Sequence, residues 1–404
     1  MTNGNGGEAK DGGPSRGPVP LRGGVAIVLS GAGARGAYEA GALSVLLPEL
    51  TGDDRPLVVL GTSAGALNAA MLVSCLHLGV KPAAQALLDG WRSITTERVF
   101  ATPRKSMLRL LELRLRPRVG EAPGVLDTGP LKATLEQLLP NEHFGSAAVP
   151  GTLDAVGVAA SACATGDAVV FLETTGTVPP PGHGINYVRT QLGYDHLMAS
   201  SAFPLAFPAR WVNGAAEGWY IDGGVHLNTP LKPAIALGVD RILVVGATPL
   251  RIGTRPDPST PANIMDGSGQ ILHSLLVDSL RADLEELVCT NLRLGAGVGA
   301  PAAGVSTQGA PPGRRVIEFA SLSPARDDLS DVAAGEWPPG LLKLLFSFGG
   351  YGALGPVTAQ RQLPGQFLSY LCFTKKFIAA AIDAGKADAT RLIKPCGGID
   401  WKVS

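Results

Sequence analysis

A chain of 404 residues with 45% apolar side chains has the composition of a globular protein and is long enough for a sizeable core. Its 34 basic residues equal its 34 acidic ones, so no overall charge draws it to nucleic acid, and any lipid contact has to come from a local patch. No stretch reaches about 18 apolar residues without charge, glycine or proline, and the first 22 lack the apolar centre of a secretory signal, so a cytoplasmic protein with no membrane span is expected.

Residues 1–22, rich in Gly, Pro, Asn and Ser, read as a disordered tail. Val25–Leu29 is a short, β-branched apolar run and suits a buried strand of a parallel sheet. A glycine-rich turn at 31–36 follows, then a helical pattern from Ala37 to about Leu50. Leu57–Leu60 repeats the theme, with a turn at 61–65 and a small-residue helix to about Leu78. Strand, turn and helix twice in fifty residues predict an α/β fold. Thr152–Ser161 and Ala168–Glu173 read as a strand pair, and Arg241–Gly246 and Arg315–Phe319 as further strands. Gln270–Leu294 is an amphipathic helical pattern, 295–313 a Gly/Ala/Pro-rich loop, and segments near 340–348 and 366–385 are helical. The expected division is a tail (1–22), a main domain (23–294), a flexible loop (295–313) and a C-terminal extension (314–404) packing on the main domain. Cys75, Cys163, Cys289, Cys372 and Cys396 are scattered and odd in number, which predicts buried thiols and neither a zinc site nor a disulfide framework.

Gly61-Thr62-Ser63-Ala64-Gly65 lies between a strand and a helix. Such a turn projects its serine above the sheet, and the helix that follows favours developing negative charge at its N-terminus. Away from that context the pattern is an ordinary tight turn. Gly31-Ala32-Gly33-Ala34-Arg35-Gly36 also matches a dinucleotide fingerprint, but that requires an acidic residue at the end of the next strand. The next strand ends instead at Gly61-Thr62-Ser63, and Asp53 and Asp54 precede it. The better reading is an oxyanion hole built from loop N–H groups, with Arg35 adding positive charge, holding the loop, or forming a surface ion pair. Asp222-Gly223-Gly224 places a carboxylate at a strand end, or is a plain Asp-Gly turn. A serine nucleophile needs a base. In the usual Ser-Asp-His order only His226 and His273 qualify, and neither sits on a loop after a late strand; a serine–aspartate dyad fits what remains.

The glycine-rich loop, the Gly-Thr-Ser-Ala-Gly elbow and the later Asp-Gly-Gly together resemble the patatin-like phospholipase family. Ala199-Ser200-Ser201-Ala202-Phe203-Pro204, Asn228-Thr229-Pro230 and Leu237-Gly238 are similar to it as well, so the likeness runs over about residues 24 to 294. The resemblance implies a three-layer α/β/α fold with a mostly parallel central sheet and a helical C-terminal extension. It implies a lipid acyl hydrolase in which Ser63 attacks the ester, Asp222 takes its proton and an acyl-enzyme forms. Gly31, Ala32, Gly33, Arg35 and Gly36 would form the oxyanion loop, and Gly61 and Gly65 the elbow. No metal or organic cofactor is implied. Where the family has three glycines this chain has Gly31-Ala32-Gly33, and the methyl of Ala32 would matter if that position required positive φ. An acyltransferase, or an inactive lipid-binding module of the same fold, would carry the same motifs.

Residues 98–118 interleave Arg98, Arg104, Lys105, Arg109, Arg114, Arg116 and Arg118 with leucines. A basic amphipathic helix of this kind can lie on an anionic lipid surface, or it packs its leucines on the core. Leu341–Phe348 reads as core or as a lid over the acyl pocket.

Overall fold

A computed structural model describes residues 24–101, 126–139, 153–250 apart from 205, 279–295, 315–336 and 365–403, with single positions at 105, 108, 124 and 144. Among these residues nine strands join one sheet: β1 (Val25–Leu29), β2 (Pro56–Thr62), β3 (Ala155–Ala162), β4 (Ala168–Thr174), β5 (Ile185–Arg189), β6 (Arg210–Val212), β7 (Gly218–Asp222), β8 (Arg241–Val245) and β9 (Glu318–Leu322). The main path runs β5-β4-β3-β2-β1-β8-β9, and five of the eight pairings are parallel.

The sheet is covered on both faces, as its apolar strands require. Along β1, Val25, Ile27 and Leu29 point into one cluster while Ala26 and Val28 point into the other, following the two-residue alternation of a strand. The first face is covered by α1 (Gly36–Leu46), α2 (Ala64–Leu76) and α3 (Val80–Ser93), which bury Tyr38, Leu43, Leu72 and Trp91. α4 (Gly129–Leu138) and α5 (Tyr194–Ser200) pack there too. The second face is covered by α6 (Leu231–Leu237) and α7 (Ser279–Gly295), through Leu231, Leu237, Leu280 and Leu287. The architecture is three-layered, α/β/α, around a mostly parallel sheet.

β3 sets the geometry of the site. Its residues 155–161 pair with β4 along one edge, so β2 and β7 share the opposite edge end to end. β2 stops with Thr62 opposite Ala159, and β7 takes over with Asp222 opposite Ala160.

The C-terminal residues belong to the same sheet and layers. β9 extends the sheet beyond β8, and α8 (Asp328–Glu336), α9 (Gly365–Tyr370) and α10 (Lys375–Ala389) follow it. α10 lies along α1, burying Ile378 and Ile382, and Tyr38 Oη donates to Asp388 Oδ2 at 2.9 Å.

Several boundaries differ from expectation. The strand read at Arg315–Phe319 forms at Glu318–Leu322, where Glu318 falls into register with Arg241, while Arg315 pairs with Asp240 at 2.7 Å. The first helix gives way after Leu46 to a tight turn at Leu47–Glu49, where Pro48 lacks the N–H that would continue it. The helical stretch 366–385 is broken at 371–374, because Thr374 caps a new helix by accepting from the Phe377 N–H at 3.2 Å. The expectation of buried thiols is corrected: Cys372 is buried, but Cys163, Cys289 and Cys396 are exposed, lying in a turn, on the outer face of α7 and near the C-terminus. The tail 1–22, the loop 295–313 beyond Gly295, the segments 270–278 and 340–348, and most of 98–118 lie outside the described residues. Among the described residues no helix is long and apolar enough to cross a membrane.

Candidate active site

Ser63 stands where β2 ends and α2 begins, with φ 52° and ψ −121°. A non-glycine residue adopts that conformation only under constraint, at a cost of about 1–3 kcal/mol. The constraint comes from close packing on both sides. A Cβ on Gly61 would sit 2.2 Å from the Gly65 carbonyl oxygen, and one on Gly65 would sit 2.5 Å from the Leu29 carbonyl oxygen. Both glycines of the elbow are therefore required by backbone contact. The Ser63 N–H donates to Ser200 Oγ at 2.8 Å, and Ser200 Oγ donates to the Ala159 carbonyl at 2.6 Å.

The structure brings Ser63 and Asp222 together: Ser63 Oγ donates to Asp222 Oδ2 at 2.5 Å. The Gly224 N–H donates to Asp222 Oδ1 at 2.7 Å, so both carboxylate oxygens are held. Asp222 is 3% exposed. Burial pushes its carboxyl up to about 7, against the opposing pull of the hydrogen bonds from Ser63 and Gly224. A carboxylate raised in this way is a stronger proton acceptor than an exposed one, and it still ionises near neutral pH.

The glycine-rich loop divides into engaged and free donors. The Gly31 N–H donates to the Asn228 carbonyl at 2.9 Å, the Arg35 N–H to the Ala32 carbonyl at 3.1 Å, and the Gly36 N–H to the carbonyls of Gly33 and Ala34. Among the described residues the N–H groups of Ala32, Gly33 and Ala34 meet no acceptor, and neither do those of Ala64 and Gly65 in the first turn of α2. The donors available to an anion thus differ from the expected set, which held Gly31, Arg35 and Gly36. Ala32 has φ −156°, so its methyl is tolerated, and the positive φ of the loop falls on Gly33 at +53°.

Gly33, Ser63 and Ala64 line a cleft of about 540 Å³, counted to its open mouth. Its walls are apolar and come from α2, α3, α4, the loop after α5 and the C-terminal stretch, with Leu67, Trp91, Leu131, Phe207 and Phe373 among them. Ser201 also lines it, with a buried hydroxyl that has no partner among the described residues.

Sequence reasoning missed the support behind the loop. Glu39 is fully buried on α1: Oε1 accepts from the N–H and Oγ of Ser30 at 2.8 and 2.9 Å, and Oε2 from Asn68 Nδ2 at 2.8 Å. Asn68 Nδ2 also donates to the Gly36 carbonyl at 2.9 Å, and Trp91 Nε1 donates to Asn68 Oδ1 at 2.6 Å. One network thus grips both ends of the 31–36 loop. Burial pushes the Glu39 carboxyl up to about 8. Asp54, weighed as a ribose ligand, is instead an ion-pair partner of Arg241.

No histidine hydrogen-bonds Ser63 among the described residues. His226 is exposed, and His196 is buried edge-on to Phe171 with Nδ1 accepting from the Gly193 N–H at 3.1 Å. His273 lies outside the described residues. No group of side chains suited to a metal ion occurs among the described residues.

A family model described as patatin-like phospholipase matches residues 27–235. No curated protein matches the chain. Among solved structures, VipD from Legionella pneumophila aligns at 12% identity and a TM-score of 0.34, covering 93% of this chain and 67% of that one. Human GIVD cytosolic phospholipase A2 aligns at 12% identity and a TM-score of 0.38, covering 91% of this chain and 63% of that one. The same human protein with methyl gamma-linolenyl fluorophosphonate gives 14% identity and a TM-score of 0.35, covering 91% and 59%. This chain thus spans less than two thirds of the human protein.

Proposed function

We propose, for a chain that by its match over residues 27–235 belongs to the patatin-like phospholipase family, that Ser63 and Asp222 form the catalytic dyad of a lipid acyl hydrolase. The observation that carries this reading is the 2.5 Å contact between Ser63 Oγ and a buried Asp222 beside an apolar cleft.

Asp222 accepts the Ser63 proton as Oγ attacks the ester carbonyl carbon. The N–H groups of Gly33 and Ala64, both free and both at the cleft, hold the oxygen as it becomes negative. Collapse of the tetrahedral species breaks the ester C–O bond, and the leaving alcohol takes the proton from Asp222. Water then attacks the acyl-Ser63 carbonyl, gives a proton to Asp222 and releases the fatty acid, while that proton returns to Ser63. The acyl chain lies along Leu67, Trp91, Leu131 and Phe207. The alternation of basic residues and leucines in the sequence of segment 98–118 supports contact with an anionic lipid surface.

The test is labelling with a fluorophosphonate together with hydrolysis of a fluorogenic phospholipid. A single adduct at Ser63, absent from Ser63→Ala, with turnover by wild type supports the reading. Vesicle binding without adduct or turnover would mark a lipid-binding module instead.

A further inference from the structure

The sequence leaves Arg35 as an added positive charge, a support for the loop or a surface ion pair; it is fully buried and is absent from the cleft lining. A guanidinium taken out of water needs partners, and those of Arg35 all lie near the far end of the chain. Nε donates to Ser369 Oγ at 2.5 Å, and Nη2 donates to Asp327 Oδ1 at 2.6 Å and to Ser330 Oγ at 2.8 Å. Ser330 Oγ in turn donates to Asp327 Oδ2 at 2.6 Å, and the guanidinium carbon lies 5.4 Å from the centre of the Tyr370 ring. Asp327 balances the charge, and Nη1 is buried with no partner among the described residues.

The same C-terminal stretch meets the loop a second time. A Cβ on Gly33 would sit 2.1 Å from the Tyr370 carbonyl oxygen, so the two backbones are in direct contact. Tyr370 is fixed by a 2.9 Å hydrogen bond between its hydroxyl and that of Thr248. One residue later the chain turns into the cleft, where Leu371 and Phe373 face the same space as Ser63 and Gly33.

We propose that Arg35 is a positioning residue whose guanidinium fastens the 31–36 loop to two segments, Asp327–Ser330 and Ser369–Phe373, and that the second of them, outside the family-matched residues, completes the active site. The inference rests on the dyad reading above for its kinetic consequence, though not for its structural one. Moving the stretch displaces a donor of the oxyanion hole and a wall of the cleft together, and a displacement of about 1 Å costs on the order of 10²-fold in rate.

The experiment compares wild type, Arg35→Met, Ser369→Ala, Asp327→Asn and the Arg35→Met/Asp327→Asn double variant in the full chain. Turnover of short and long p-nitrophenyl esters is normalised to sites titrated with fluorophosphonate, and hydrogen exchange is followed at the 31–36 amides. Positioning predicts that Ser369→Ala and Asp327→Asn lower kcat per titrated site by about tenfold or more with KM little changed. It also predicts an altered ratio of long to short esters, faster exchange in 31–36, and a double variant no worse than Arg35→Met. Loss confined to Arg35→Met, with Ser369→Ala and Asp327→Asn like wild type, would overturn it in favour of direct anion binding. Lower melting temperatures with kcat per site and exchange unchanged would overturn it in favour of plain packing. If wild type takes no label, the dyad reading fails, and exchange alone decides: faster in Asp327→Asn upholds the fastening, unchanged refutes it. Should Arg35→Met not fold, Ser369→Ala, which removes one hydrogen bond, gives the answer.

Discussion

Thr62 and Asp222 occupy consecutive rungs on one edge of β3, opposite Ala159 and Ala160. The strand that leads to the proposed nucleophile and the strand that ends in its proposed base therefore meet at their C-terminal ends on a shared partner. Ser63, one residue past Thr62, needs only the turn at the elbow to reach the carboxylate. Geometry held by two backbone ladders is stiffer than geometry held by loops, which suits a dyad with no third member to orient it.

Asp222 and Glu39 set activity and stability against each other as pH changes. Burial lifts Asp222 from its ordinary 3.8 to about 7 and Glu39 from 4.5 to about 8. The folded state thus binds these protons more tightly than the unfolded chain, so stability falls as pH rises through about 4 to 7 for Asp222 and about 4.5 to 8 for Glu39. A base must be ionised, so kcat/KM rises through the neutral range. Between about pH 5 and pH 8 the melting temperature should drop while kcat/KM climbs, and Asp222→Asn should flatten part of the thermal slope. A melting temperature that climbs with pH over this range contradicts the assignment.

Gly65→Ala tests the elbow through packing. Its new methyl would meet the carbonyl oxygens of Leu29 and Ser30 at 2.5 and 2.6 Å, both fixed by the central strand. Overpacking of this kind costs about 1–3 kcal/mol, so the urea midpoint should fall at unchanged slope. A wild-type midpoint would mean that β1 gives way more easily than its buried position suggests.

Leu131→Trp tests the path of the acyl chain. Leu131 lines the cleft from α4, and a larger ring there takes space from the far end of a long chain. Each methylene left unburied loses about 0.8 kcal/mol, or about fourfold in kcat/KM. The preference among p-nitrophenyl esters should move to shorter chains, while the rate on the acetate stays near wild type. An unchanged length profile places the acyl chain elsewhere.

What could be read from the sequence was local. The strand–turn–helix units around 31–36 and 61–65, and the acid of Asp222-Gly223-Gly224, announce themselves through turn chemistry and apolar runs. The contact between Ser63 and Asp222, 159 residues apart, depends on the register of β3, which no local pattern encodes. The partners of Arg35 lie about 300 residues downstream, so the sequence could not choose between an added charge, a support for the loop and a surface ion pair. Glu39 gave no signal, because an acid in the first turn of a helix usually faces water. The break at 371–374 was hidden by apolar residues that continue a helical pattern across it.

Whether Asp222 serves as the base for Ser63 is decided by hydrolysis of a fluorogenic phospholipid by wild type and Asp222→Asn. The amide keeps the shape and loses the proton acceptor, so kcat/KM should fall by about 10²–10⁴-fold while circular dichroism and the elution volume stay those of wild type. Activity of Asp222→Asn within a few fold of wild type, with Ser63→Ala inactive, would contradict the dyad and return the search to a histidine such as His226.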